Sequence, residues 1–273
     1  MPRFFSLATV ALFLIVAFPC RSVHAETEVD LALVIAVDVS FSMDPDEQKL
    51  QREGFVEAFR SPIVHDAIRR GAVGRIAVAY MEWAGASDQR VLIPWTLMDG
   101  PETAAHFADE IATKPTRRAS RTSISGAIDF AVKLHDESGL SAMRRVIDVS
   151  GDGPNNGGRP VLAARADAIA GNVTINGLPI MLKEPGYFDI ANLDGYYRDC
   201  VIGGQGAFMV PARDRDQFRD AVKTKIIMEI AKRPTSGRAA LLHGGGLVIL
   251  AQAEGARANC NAGEMQWRDR MGN

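Results

Sequence analysis

Five oxygen-bearing side chains form the group most able to do chemistry. Asp38, Ser40 and Ser42 make up the run D-x-S-x-S. Thr122 stands in a basic loop, and Asp152 in the turn Gly151-Asp152-Gly153. Carboxylates and hydroxyls with no neighbouring His or Cys are hard donors, and they suit Mg²⁺, with Mn²⁺ or Ca²⁺ as further candidates. A plainer reading is that the aspartates cap loops and the serines satisfy turns. The metal reading is preferred because all three pieces fall, in order, where strands end or helices begin. Catalytic alternatives have less support. The five histidines (His24, His65, His106, His135, His243) form no metal-spacing pair. There is no G-x-S-x-G elbow, no P-loop lysine motif and no G-x-G-x-x-G after the first strand. Cys200 and Cys260 lack C-x-x-C spacing. An Mg²⁺-dependent phosphoryl-transfer or hydrolytic enzyme, with Asp38 as acceptor, is the alternative. It requires a lysine and further acidic residues nearby, and Ser40 and Ser42 replace a second carboxylate poorly.

These side chains must be placed by a sheet. Leu31 to Val37 is an unbroken apolar run, as expected of a strand buried on both faces. Residues 75–84 and 89–97 read as two further strands joined by a hairpin-length link, hence antiparallel, and Pro94 puts the second at an edge. Strands are also expected at 146–150, 173–180 and 206–210. Asp44-Pro45-Asp46-Glu47 suits a helix start. Ile124, Ala127, Ile128, Ala131 and Leu134 mark an amphipathic helix directly after Thr122. Further helices are expected from Pro101, from Pro160 to about residue 170, and after an Asp214/Gln217 pair spaced like a capping box. The expected class is α/β: a doubly wound, mostly parallel sheet with one antiparallel edge strand and helices on both faces. In such sheets ligands bind beyond the carboxyl ends of the strands, at the switch point.

Residues 1–25 have a basic start, an apolar run from Phe4 to Phe18 and a small residue at Ala25, the layout of a cleaved signal peptide. The apolar run is shorter than a spanning helix needs, so no stable membrane span is expected after cleavage. Removing 1–25 takes away Arg3 and Arg21 and no acidic residue, which leaves 29 basic and 33 acidic residues and a net charge of −4. That balance argues against a nucleic-acid partner. Export, to a periplasm or beyond the cell, would permit a Cys200–Cys260 disulfide, but spacing leaves the pairing open. Residues 26–234 read as one domain. Residues 235–273, rich in Gly, Ala and Asn, read as a low-complexity, disordered tail with at most one short docking strand. Asp148 lies mid-strand in an apolar stretch and is a partner of the site, a buried hydrogen-bonded group or exposed at an edge. Arg117, Arg118 and Arg121 read as a solvated loop or as steering charges. Tyr187, Tyr196 and Tyr197 either line a surface or cover the sheet edge.

With these motifs the chain resembles the von Willebrand factor A-type domain with its metal-ion-dependent adhesion site (MIDAS). That site is built from D-x-S-x-S, then a threonine, then an aspartate in a T-D-G-like turn. The matching residues are Asp38, Ser40, Ser42, Thr122 and Asp152, and Met43 extends the match. The resemblance spans about residues 29–232. The chain is also similar to an exported, uncharacterised bacterial group that shares the phrases at 150–156 (S-G-D-G-P-N-N) and 198–204 (R-D-C-V-I-G-G). Three positions depart from the pattern: Phe41 and Arg121 where glycine is common, and Gly151 where threonine is common. None removes an oxygen donor, but Phe41 and Arg121 could narrow access. The resemblance implies direct ligation by Ser40 and Ser42, ligation by Thr122 directly or through water, and action of Asp38 and Asp152 through water and hydrogen bonds. It implies a binding module rather than an enzyme, with the metal completed by an Asp or Glu of a protein partner. A structural domain with a vestigial metal site is the remaining alternative.

Overall fold

The computed structural model describes residues 26–184, 186, 190–231, 249–250 and 257–271. The segment read as a signal peptide, and Tyr187, lie outside the described residues. The elements run β1 (Thr27–Val29), β2 (Leu31–Asp38), α1 (Pro45–Arg60), α2 (Pro62–Arg69), β3 (Ile76–Trp83), β4 (Gln89–Met98), α3 (Pro101–Thr113) and α4 (Ile124–Asp136). They continue with β5 (Leu140–Ala142), β6 (Arg145–Gly151), α5 (Val161–Ala170), β7 (Val173–Pro179), α6 (Leu193–Tyr196), a π-helical turn (Tyr197–Val201), β8 (Phe208–Met209), α7 (Phe218–Ile230), β9 (Ile249–Leu250) and α8 (Ala262–Met271).

The main sheet has the order β4-β3-β2-β6-β7-β8-β9. Pairing is parallel except for the β3–β4 and β8–β9 pairs. β2 is central, and every residue of it is buried. Its alternation divides two cores. Leu31, Leu33, Ile35 and Val37 pack with residues of α1, α2, α3 and α7. Val34 and Ala36 pack with residues of α4 and α5 and with Tyr196 and Tyr197. This period-2 division is why an unbroken apolar run was needed: neither face meets water. The chain leaves β2 toward β3 on one side and returns to β6 on the other, so the switch point lies between the carboxyl ends of β2 and β6.

Three features differ from the sequence reading. β1 and β5 form a separate two-stranded parallel sheet, each too short to carry a period. The Asp214/Gln217 capping box does not form: α7 starts at Phe218 with no side-chain cap, and Asp214 accepts from the amide of Asp216 instead. In the segment read as a disordered tail, β9 is the one short docking strand that reading allowed, whereas the helix α8 was not expected. β9 pairs with β8, and α8 follows Cys260, which is disulfide-bonded to Cys200 with Cα atoms 5.4 Å apart. A cross-link holds α8 without the apolar content that composition-based reasoning looks for.

Candidate functional site

The Asp38-to-Met43 stretch turns sharply as β2 ends. Asp38 is fully buried, and its Oδ1 accepts the amide of Ser40 at 2.7 Å. The Ser40 and Ser42 hydroxyls lie 2.7 Å apart, and Ser42 Oγ donates to Asp152 Oδ1 at 2.6 Å. Asp38 Oδ2 is buried and has no hydrogen-bond partner among the described residues. Burial, then the charge of Asp152, push the Asp38 carboxyl well above its ordinary range. A carboxylate held dry beside a second carboxylate favours a cation at the site.

Thr122 is placed by the loop that follows β6. Its amide donates to Asn156 Oδ1 at 2.9 Å, and its carbonyl accepts the Asn156 amide at 2.7 Å. A Cβ on Gly153 would lie 3.9 Å from the Thr122 Oγ1 and Cγ2 atoms, so the threonine side chain sits over the turn that carries Asp152. The start of α4 is held by the same loop. Asn155 Oδ1 accepts the Ser125 amide, while Ser123 Oγ caps the helix through the amide of Gly126. The structure thus brings all five sequence-predicted residues to one place at the switch point.

The three departures have local causes. A side chain at Gly151 would run into Asp38 Oδ2 at 2.8 Å and Tyr197 Oη at 3.1 Å. Arg121 adopts the left-handed conformation glycine would favour, with φ of 75°. That strain costs about 1–2 kcal/mol for a non-glycine residue. Its guanidinium carbon lies 3.6 Å from the centroid of the Trp267 ring in α8, a cation–π contact that offsets part of the cost. Phe41 projects outward, 59% exposed, with the Arg118 guanidinium 5.5 Å from its ring centroid. Arg117 is committed elsewhere, paired with Glu82 and Asp88 at 3.0 Å each. Tyr196 and Tyr197 are core residues, and Asp148 is buried away from the site in an ion pair with Lys225.

Sequence reasoning missed Lys183, which follows β7. Its ammonium lies 2.8 Å from Asp152 Oδ2, 2.5 Å from the Ser42 carbonyl oxygen and 3.3 Å from Glu47 Oε2. Burial works against this charge, but Asp152 and then Glu47 raise its pKa overall. Glu47 is also the third helical residue of the α1 capping box, which closes with Asp44. The signal available in sequence was position: a lysine a few residues past a strand that neighbours the switch point.

Residues 28–234 match the model of a family described as a protein of unknown function, DUF1194. The chain belongs to DUF1194. Among curated proteins nothing matches. Solved structures share the fold at low identity. Proximal thread matrix protein 1 from the mussel byssus aligns with a TM-score of 0.53 and 12% identity, over 74% of this chain and 48% of that one. A von Willebrand factor type A protein from Catenulispora acidiphila aligns with a TM-score of 0.51 and 15% identity, over 75% and 44%. The pilus adhesin SpaC from Lactobacillus rhamnosus GG, in its open conformation, gives 0.54 and 10%, over 81% and 37%. The DUF1194 chain therefore spans less than half the length of each of these structures. It shares the fold of the von Willebrand factor type A protein.

The donor set can be tested against a divalent ion. It offers two carboxylates and three hydroxyls at one sheet edge, one carboxylate oxygen being buried without a hydrogen-bond partner among the described residues. Those are hard ligands with few direct charges, which suits Mg²⁺. No group of three or more His, Cys, Asp or Glu able to hold a metal occurs among the described residues. The site therefore relies on hydroxyls for most of its donors.

Proposed function

We propose that this chain is an exported, metal-dependent protein-binding module. Asp38, Ser40, Ser42, Thr122 and Asp152 hold a divalent cation, Mg²⁺ before Mn²⁺ or Ca²⁺, and a partner's Asp or Glu completes its coordination. The observation that carries this reading is the linked set Ser40–Ser42–Asp152 beside the buried Asp38 oxygen. When bound, the ion supplies an electrophilic position for an incoming carboxylate. The chain's own residues do the rest. Ser40 and Ser42 present their oxygens at fixed spacing, and Asp38 orients the turn through the Ser40 amide. The Asn155–Asn156 loop presents Thr122. The fold neighbours include a byssus matrix protein and a pilus adhesin, which agrees with an adhesion-type role. The Cys200–Cys260 bond agrees with an oxidising compartment, periplasmic or secreted. No helix among the described residues is long and apolar enough to cross a membrane.

Calorimetric titration of the mature chain with Mg²⁺ and Mn²⁺, repeated on Asp38→Ala, tests the site. Binding by the wild type and none by the variant is expected, and a wild type that binds neither ion would overturn the assignment. Capture of partners from an envelope extract must then be lost with chelator.

A second reading, a phosphoryl-transfer or hydrolytic enzyme, gains from Lys183 and Glu47, which supply the lysine and extra carboxylate it needs. Against it, Asp38 is fully buried and poorly placed as a nucleophile. Phosphatase turnover abolished by Asp38→Asn would promote this reading.

A further inference from the structure

α8 lies outside the residues that define the family, yet it touches the loops that carry the site. Gly263 packs so tightly on the loop after β6 that a Cβ there would stand 2.1 Å from the Asn155 carbonyl oxygen and 3.0 Å from Pro154 Cγ. Glu264 Oε1 accepts from Asn155 Nδ2 at 2.7 Å. The same Asn155 side chain holds the first turn of α4 through the Ser125 amide at 2.9 Å. One residue on, Asn156 brackets Thr122 through both backbone groups. On the other side of that bracket, Trp267 lies under Arg121, the left-handed residue just before Thr122. The start of α8 is anchored three times. Cys260 is bonded to Cys200, its carbonyl oxygen accepts from Tyr196 Oη at 3.4 Å, and the Ala258 amide donates to Asp199 Oδ2 at 2.7 Å. Tyr196 Oη in turn accepts the Asn155 amide at 3.2 Å.

We propose that α8 is a positioning element of the site, which rests on the metal-binding reading above. Through Gly263, Glu264 and Trp267, and anchored by the Cys200–Cys260 bond, it fixes the Arg121–Thr122 turn and the Asn155–Asn156 loop. It thereby sets how Thr122 is presented beside Asp152. Groups that orient a ligand without touching the ion commonly change metal affinity by about 10–100-fold when removed. Trp267 and the disulfide occupy that role here, from a segment whose composition resembles a solvated tail.

The test compares full-length wild type with Trp267→Ala, Cys260→Ser and, as a control on the exposed side of α8, Met265→Ala. Two quantities are read: amide exchange across residues 122–126, with no metal added, and Mg²⁺ affinity by calorimetry. Trp267→Ala and Cys260→Ser should speed exchange there by about tenfold, the signature of local opening. They should also weaken Mg²⁺ binding by about tenfold or more. Met265→Ala should match the wild type in both. Unchanged exchange in Trp267→Ala overturns the proposal whether or not metal binds. So does faster exchange with unchanged Mg²⁺ affinity, because α8 would then be only a staple. A Met265→Ala effect as large as that of Trp267→Ala would also overturn it. A wild type that binds no Mg²⁺ refutes the metal reading instead, and the exchange comparison then decides the role of α8 alone.

Discussion

Among the described residues, two groups are built from one lysine and two carboxylates, and they lie in opposite surroundings. Lys183 reaches Asp152 and Glu47 at the carboxyl edge of the sheet, with 35% of its side chain exposed. Lys225 reaches Asp148 and Glu229 with no exposure, its ammonium 4.6 Å from the Phe208 ring centroid. Asn176 completes the buried group by donating to Glu229 Oε2 at 2.7 Å and accepting the Phe208 amide at 2.8 Å. The charges are the same and their consequences are not. In the interior, each charge is tolerated only because the others are present, so the group is locked. At the edge, Asp152 and Glu47 are buried but the Lys183 side chain is partly exposed, so it is the ammonium that water can reach and another cation can replace. The difference teaches that access, rather than the residue list, makes one group a candidate site and the other a structural device.

The strongest way to break this comparison is to remove each lysine in turn. Lys225→Met should cost about 3–5 kcal/mol in denaturant unfolding, because it leaves Asp148 and Glu229 buried without a cation. A cost near that of an exposed pair would mean the interior group is wetter than its burial implies. Next in size is the effect of metal. Mg²⁺ at a hundred times its Kd should raise wild-type stability by about 2.7 kcal/mol and leave Asp38→Ala unmoved. Lys225→Met should gain the same increment as the wild type, because no ion reaches the interior group.

A third buried ionisable group sharpens the contrast by taking neither course. His135, near the end of α4, has no carboxylate partner in contact and stays neutral. Burial lowers its pKa to about 4, and its Nε2 is hydrogen-bonded to the Val146 carbonyl at 3.1 Å. Between about pH 4 and the ordinary histidine value the unfolded chain binds the extra proton. The stability this neutral ring contributes is therefore complete above pH 6.5 and is lost as pH falls toward 4. Going from pH 7 to 5 should cost the wild type about 2 kcal/mol more than His135→Phe, as read from paired unfolding curves. The pairing matters because raised carboxyls such as Asp38 and Glu47 drift the opposite way in both proteins. Equal slopes in the two would show that His135 is protonated in the folded state.

How far the sequence reached follows the same line between local pattern and distant contact. The buried run at 31–37, the helix after Thr122 and the three pieces of the site were legible, since each is a local signal at a strand or helix end. The apolar strand interrupted by Asp148 left a site partner, a buried polar group and an exposed edge open, because the groups that decide it stand on α7, far along the chain. Lys225 and Glu229 are an i,i+4 pair that falls among the core-facing Val222, Ile226 and Ile230. Lys183 was missed because its partners lie 31 and 136 residues away, and its place a few residues past β7 was the one local cue. The helix α8 was misjudged for a physical reason. Its attachment comes from one covalent bond and a few close contacts, and a reading that weighs apolar content does not register those.

The smallest expected effect on stability is also the one that tests the exposed group most directly. Without metal, Lys183→Met should cost about 1–2 kcal/mol, less than Lys225→Met, since Lys183 is itself partly exposed although the Asp152 side chain it leaves is buried. With metal the same substitution should act in the opposite sense. The Lys183 ammonium and a divalent ion both draw on Asp152, so the ion must weaken or displace the Lys183 contact. Removing a contact worth about 1 kcal/mol should tighten Mg²⁺ binding by about fivefold. Lys183→Arg should restore wild-type affinity, because a cation again competes for the carboxylate. Affinity that falls in Lys183→Met would show that Lys183 supports the ion instead, for example by holding Asp152 in place. The exposed lysine group would then be as interdependent as the buried one.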